Sequence, residues 1–163
     1  MSARITLKAL VERFTRRGLP DGETARRVLR ATLAVLGERL VDDEATALAD
    51  ALPAEVAPVV ENVEYDADFG SADFYERVAR RTLTPAGDAK ELAEMIVGAL
   101  GDCLDHDLRT RLARALPRQV VEVLLLGRER DDAPAPYGMR RRALEVATLA
   151  RRSPRARDPL ELQ

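Results

Sequence analysis

The chain has 163 residues, 46% of them hydrophobic, 33% charged and 4% aromatic, with a formal net charge of −2. That length and apolar share suit one compact domain and exclude wholesale disorder, while a single cysteine, Cys103, excludes an internal disulfide and a cysteine-rich zinc module. Near-neutral charge excludes bulk attraction to nucleic acid or membrane, and no stretch reads as a signal peptide or membrane span, so a reduced cytoplasmic protein is expected.

Leu7, Leu10, Val11 and Phe14 recur at i, i+3, i+4 and i+7 and predict a first amphipathic helix. Gly18, Pro20 and Gly22 then punctuate the chain. Val28, Leu29, Thr32, Leu33, Leu36 and Leu40 predict a longer second helix near 23–40. Asp42 or Asp43 is expected to cap a short third helix whose inner face is Ala45, Leu48, Ala49 and Leu52. Pro53 suits the first turn of a fourth helix, where its missing N–H needs no partner. Val56, Val59, Val60 and Val63 give that helix its apolar side.

The same plan then recurs. Sliding the sequence by 64 positions lays 11–60 on 75–124 without a gap, with 18 identities in 50 positions, more than shared alanine and arginine content produces. Glu12-Arg13 falls on Glu76-Arg77, Arg16-Arg17 on Arg80-Arg81, Leu36-Gly37 on Leu100-Gly101, and Ala51-Leu52-Pro53 on Ala115-Leu116-Pro117. Phe74 and Val78 serve the fifth helix. Leu92, Met95, Ile96, Ala99, Leu100 and Leu104 serve the sixth. Leu108, Leu112 and Leu116 serve the seventh, and Val120, Val123 and Leu124 the eighth. No period-2 segment of useful length occurs, so a sheet is not expected. The expected fold is all-α: two tandem four-helix repeats, 1–63 and 74–126, packed as one bundle-like body because neither alone buries enough. An acidic and aromatic connector, 64–73, joins them. Residues 127–163 are read as a linker with Pro134 and Pro136, a short basic helix near 139–152, and a mobile end.

The duplicated unit resembles the bacterial family named domain of unknown function 2267. The residues that carry the likeness are Phe74-Tyr75-Glu76-Arg77-Val78-Ala79, Leu36-Gly37-Glu38-Arg39-Leu40, and Ala51-Leu52-Pro53 with its copy Ala115-Leu116-Pro117. Some members place a tryptophan after the first Leu-Pro helix; this chain offers Tyr65 and Phe69 there instead. The resemblance implies a small all-helical cytoplasmic protein and brings no activity or catalytic residues with it.

Catalytic chemistry finds little support. His106 lies near Cys103, Asp102, Asp105 and Asp107, but its first-half counterpart is Asp42 and that of Cys103 is Arg39, so the duplicated plan does not require them. A zinc site needs three or four converging ligands, and Cys103 falls on an apolar helix face where a thiol acts as a small hydrophobe. No Gly-rich phosphate loop occurs, since Gly18 to Gly22 is followed by no Lys-Ser/Thr pair. One histidine and one cysteine make a nucleophile–base set hard to assemble. We therefore expect neither enzyme activity nor a cofactor or metal.

Charge placement says more. Between the copies the apolar pattern is kept while surface charge inverts: Arg27 and Arg30 correspond to Glu91 and Glu94, Asp50 to Arg114, and Ala47 and Ala54 to Arg111 and Arg118. Arg111, Arg114 and Arg118 are spaced as one helical stripe, as are Asp43 and Asp50. These faces are expected to meet, either between copies about a pseudo-twofold axis or between chains head to tail, with neutral drift of exposed positions as the simpler alternative. Tyr65 and Phe69 complete the candidate partner-binding set, although capping the core at the junction is the simpler role for the aromatics there. The leading expectation is thus a protein–protein interaction module that self-associates or takes a partner protein, with no small-molecule substrate. The runner-up is binding of nucleic acid or another polyanion through Arg140, Arg141, Arg142, Arg151 and Arg152, set against docking of this basic segment on the acidic stretch 42–68 of its own chain.

Overall fold

The computed structural model of the protein describes residues 5–19, 21–66 and 68–126. Among them lie eight helices and no strand: α1 (Leu7–Arg16), α2 (Gly22–Glu38), α3 (Asp42–Ala51), α4 (Ala57–Glu61), α5 (Ser71–Thr82), α6 (Ala86–Cys103), α7 (His106–Ala115) and α8 (Arg118–Leu126). The fold is all-α. The expected basic helix near 139–152 lies outside the described residues.

The helices begin where side chains can take up orphan backbone N–H groups. Thr6 accepts from Ala9 N at 3.1 Å, Asp21 from Thr24 N at 2.7 Å, and Asp105 from Leu108 N at 2.8 Å. The expected aspartate cap of α3 is not formed. Val41 occupies the N-cap, and Asp42, Asp43 and Glu44 fill the first turn, where their charge suits the positive end of the helix dipole. Pro53 also differs from expectation, since it precedes α4 by a hydrogen-bonded turn in which its carbonyl accepts from Val56 N and Ala57 N. Pro58 takes the first-turn slot instead. A proline deeper in a helix would clash with the preceding turn, so α4 waits until Ala57, whereas α8, with Glu122 at the matching position, opens directly after Pro117. α5 opens at Ser71, inside the stretch expected to be connector, helped by Asp73 accepting from Gly70 N at 3.4 Å.

α2 and α6 form the centre and pack against each other. Residues 31–38 of α2 and 95–101 of α6 are buried on every side. α1 lies against α2 and α6, and α5 lies against α6 and α2, so the first helix of each half touches both central helices. α4 covers α2 and α8 covers α6; α3 packs on α4, α7 on α8, and α3 meets α7. One continuous core results, with Phe14, Phe74, Leu10, Leu29, Ile96 and Leu100 among its fully buried side chains.

Two glycines set how closely the outer helices approach. A Cβ at Gly37 would run into the carbonyl oxygen of Val60, and one at Gly101 into that of Leu124. Gly37 and Gly101 are 64 positions apart, as are Val60 and Leu124, so the two halves use the same contact.

Candidate functional site

The sequence keeps arginine at 17 and 81, and an acid at 38 and 102 directly after Leu-Gly. The fold joins these four across the halves. Arg17 at the end of α1 reaches Asp102 on α6, Nη2 to Oδ2 at 2.8 Å, and Arg81 on α5 pairs with Glu38 on α2. Glu38 also receives Arg77 Nη1 at 2.8 Å, and the other amino group of Arg77 reaches Asp66 at 2.6 Å. Arg77 is held more basic than usual by its hydrogen bonds to Glu38 and then to Asp66. The Asp66 carboxyl is held below the usual carboxylate range, first by the Asp68 N–H and then by Arg77. The Phe69 ring lies beneath Arg77, 4.0 Å from its guanidinium carbon, with Arg39 at 5.4 Å. Arg39 in turn donates to the carbonyl of Ala115 at 3.0 Å, tying α2 to the end of α7.

Beside this network opens a shallow groove of about 390 Å³. Arg27 and Arg30 from α2 and Arg81 from α5 stand around a floor of Ala31, Ala34 and Val59. Arg27 and Arg30 are exposed, and Arg30 donates a long hydrogen bond, 3.5 Å, to the backbone carbonyl of Glu55. The corresponding place in the second half has the opposite character. Glu91 and Glu94 replace the two arginines, Gly98 replaces Ala34, and the Arg17 guanidinium lies 3.3 Å from where a Gly98 Cβ would sit. Glu94 is engaged at home, accepting from the Tyr75 hydroxyl at 3.3 Å. Burial, and then the Glu94 charge, push the Tyr75 phenol well above its ordinary value, so Tyr75 stays a neutral donor. The sequence marks Arg27 and Arg30 only as charge-inverted positions and Arg81 only as part of a recurring Arg-Arg pair, and nothing along the chain brings the three together.

The other candidates are dispersed. Arg111 and Arg114 are exposed on α7, but Arg118 is the first residue of α8, beyond the break at Pro117, and faces Glu122 at 3.4 Å. The expected single stripe is therefore divided between two helices. Asp43 and Asp50 are exposed on α3, which packs on α7 within the chain. Tyr65 and Phe69 form no common patch, because Tyr65 is 57% exposed and Phe69 only 4%. Phe69 joins the core at the junction with Phe74 and Tyr75, whose rings meet edge to face at 5.5 Å. Cys103 is half-buried, with Arg13 Nη1 at 3.6 Å from its sulfur, while His106 is exposed at the start of α7. Among the described residues no three His, Cys, Asp or Glu side chains gather as a metal site, and no helix is long and apolar enough to cross a membrane. Arg140, Arg141, Arg142, Arg151 and Arg152 lie outside the described residues.

Two central helices in contact with each other and covered by shorter ones, with an arginine-bearing groove on one side, define an all-helical domain. The chain belongs to the family described as Uncharacterized conserved protein (DUF2267), whose model matches residues 7–123. No curated protein and no solved structure matches the chain.

Proposed function

We propose that this is a non-enzymatic, cytoplasmic helical module that binds a partner protein through the groove between α2, α4 and α5. The observation that carries this reading is the exposed pair Arg27 and Arg30 beside an apolar floor, at a place the second half fills with its own charges. We also propose that the halves arose as tandem copies related by an approximate twofold axis. The reciprocal packing of α1 on α6 and α5 on α2 supports this, as do the equivalent glycine contacts. On this view the inverted charges of α3 and α7 serve the fit within one chain, because those helices already touch.

The test is retention of a partner from the source cells by wild type, Arg27→Glu with Arg30→Glu, and Arg111→Glu with Arg114→Glu. A protein lost from the groove variant alone, with both variants melting like wild type, supports the reading. Equal retention by all three removes it. Sedimentation of the Arg111/Arg114 variant at low and high salt checks head-to-tail association of chains, which predicts a salt-dependent shift from wild type.

A second reading rests on the arginines of 140–152, which meet only Glu145 in return. Contacts to phosphates release counterions and weaken steeply with salt. Deleting 139–163 should then abolish retention on immobilised DNA, and retention that survives the deletion excludes this reading.

A further inference from the structure

Resting on the groove as the partner site, we propose that its occupant is an acidic helical segment of the partner, with two carboxylates one turn apart meeting Arg27 and Arg30. These arginines are three residues apart on α2, so they leave one face of the helix about a turn apart. Neither forms an ion pair among the described residues: Arg30 is bonded to an uncharged backbone carbonyl, and Arg27 only lends its field to Asp21. At the third corner, Arg81 and Arg77 are balanced by Glu38 and Asp66, so the groove's excess of positive charge is that of Arg27 and Arg30.

The second half carries the opposite charge at the matching positions. There the same two positions hold carboxylates on one helix face, Glu91 and Glu94, with the Arg17 guanidinium against Gly98 nearby. The first half has Arg27 and Arg30 at those positions, so the carboxylates that complement them fall to a partner. Guanidinium groups bind carboxylates through paired, directional hydrogen bonds, so carboxylate spacing is read as well as charge. The floor of Ala31, Ala34 and Val59 accepts a small apolar side chain set between the two acids, an arrangement that a helix provides. It offers no ring on which a nucleobase would stack, and a lone oxyanion would leave it wet.

The experiment is fluorescence anisotropy with a labelled helical peptide carrying two glutamates a turn apart around alanine, and with its glutamine counterpart. Wild type should bind the glutamate peptide, with affinity falling as salt rises. The glutamine peptide should not bind. Arg27→Glu with Arg30→Glu should weaken binding at least about tenfold while melting like wild type, and Arg27→Gln with Arg30→Gln should lie between. Titration with inorganic phosphate separates the peptide from a bare anion. If phosphate binds as tightly and shifts the same backbone amide resonances, the groove is an anion site and the proposal falls. It falls equally if the glutamate peptide binds wild type and the double variant alike, or binds neither. A partner protein lost from the Arg27/Arg30 variant in the retention experiment, together with no binding of the glutamate peptide, overturns the acidic occupant and leaves the groove as the partner site. Failure of both experiments removes the groove itself.

Discussion

Leu83 shows how the two halves solve one turn differently. After α1 the chain turns through Gly18 at φ 117°, and Leu19 drops into the core. After α5 the matching positions are Thr82, which is buried, and Leu83, which takes the left-handed conformation at φ 53° and is 93% exposed. A side chain there is strained and buries almost nothing, so Leu83→Gly should stabilise the protein by about 0.5–1 kcal/mol, seen as a higher urea midpoint. A lower midpoint would mean that the leucine makes contacts of value. Asp21 carries the second residue-level effect. The Thr24 N–H holds its carboxyl below the ordinary 3.8, so its stabilisation is complete above that value and is lost as pH falls through the lower folded value. Asp21→Asn keeps a capping oxygen but does not titrate, so urea midpoints of wild type and variant should converge as the solution is acidified. The caps Thr6 and Asp21 go unread in the sequence, where the apolar spacing draws attention to the helix interiors. Val41 goes unread as well, because three acids after it offer good local signals.

Helix positions are legible because the stripe of Leu7, Leu10, Val11 and Phe14 and its counterparts must face a core. The approach of α4 to α2 and of α8 to α6 is less so. A glycine inside a helix usually reads as a weak point, and only its recurrence at Gly37 and Gly101 marks it as a contact. Gly37→Ala and Gly101→Ala should each cost about 1–3 kcal/mol, despite alanine's better helix propensity, because backbone must move to admit the methyl group. Gly87, with open space around it, is the control, and Gly87→Ala should be neutral or stabilising in the same measurement. The interruption of the Arg111, Arg114 and Arg118 spacing belongs to this scale as well. Periodicity carries straight through Pro117, whereas the chain stops one helix before it and starts another after it.

Across the whole molecule, two ion pairs cross between the halves in opposite directions, and their settings differ. Arg17 is 21% exposed and faces the buried Asp102, while Arg81 is 42% exposed and its acid also has Arg77. Arg17→Met should therefore cost more, about 3 kcal/mol, because the Arg17–Asp102 pair is the more buried of the two. Arg81→Met should cost about 1 kcal/mol or less, since Arg77 still holds Glu38. Equal losses in urea melts would show that both acids are equally dependent on these partners. Neither pair is visible along the chain, because each joins residues far apart in sequence; the recurring Arg-Arg and Leu-Gly-acid motifs mark the participants without matching them. The groove is hidden for the same reason, as Arg81 reaches it only through the packing of α5 on α2.

Since each half lends its leading arginine helix to the other, separating one should cost its neighbour the same pair. Heating should dissolve both in one calorimetric event, and the slowest-exchanging amides of α2 and α6 should report a single common opening energy.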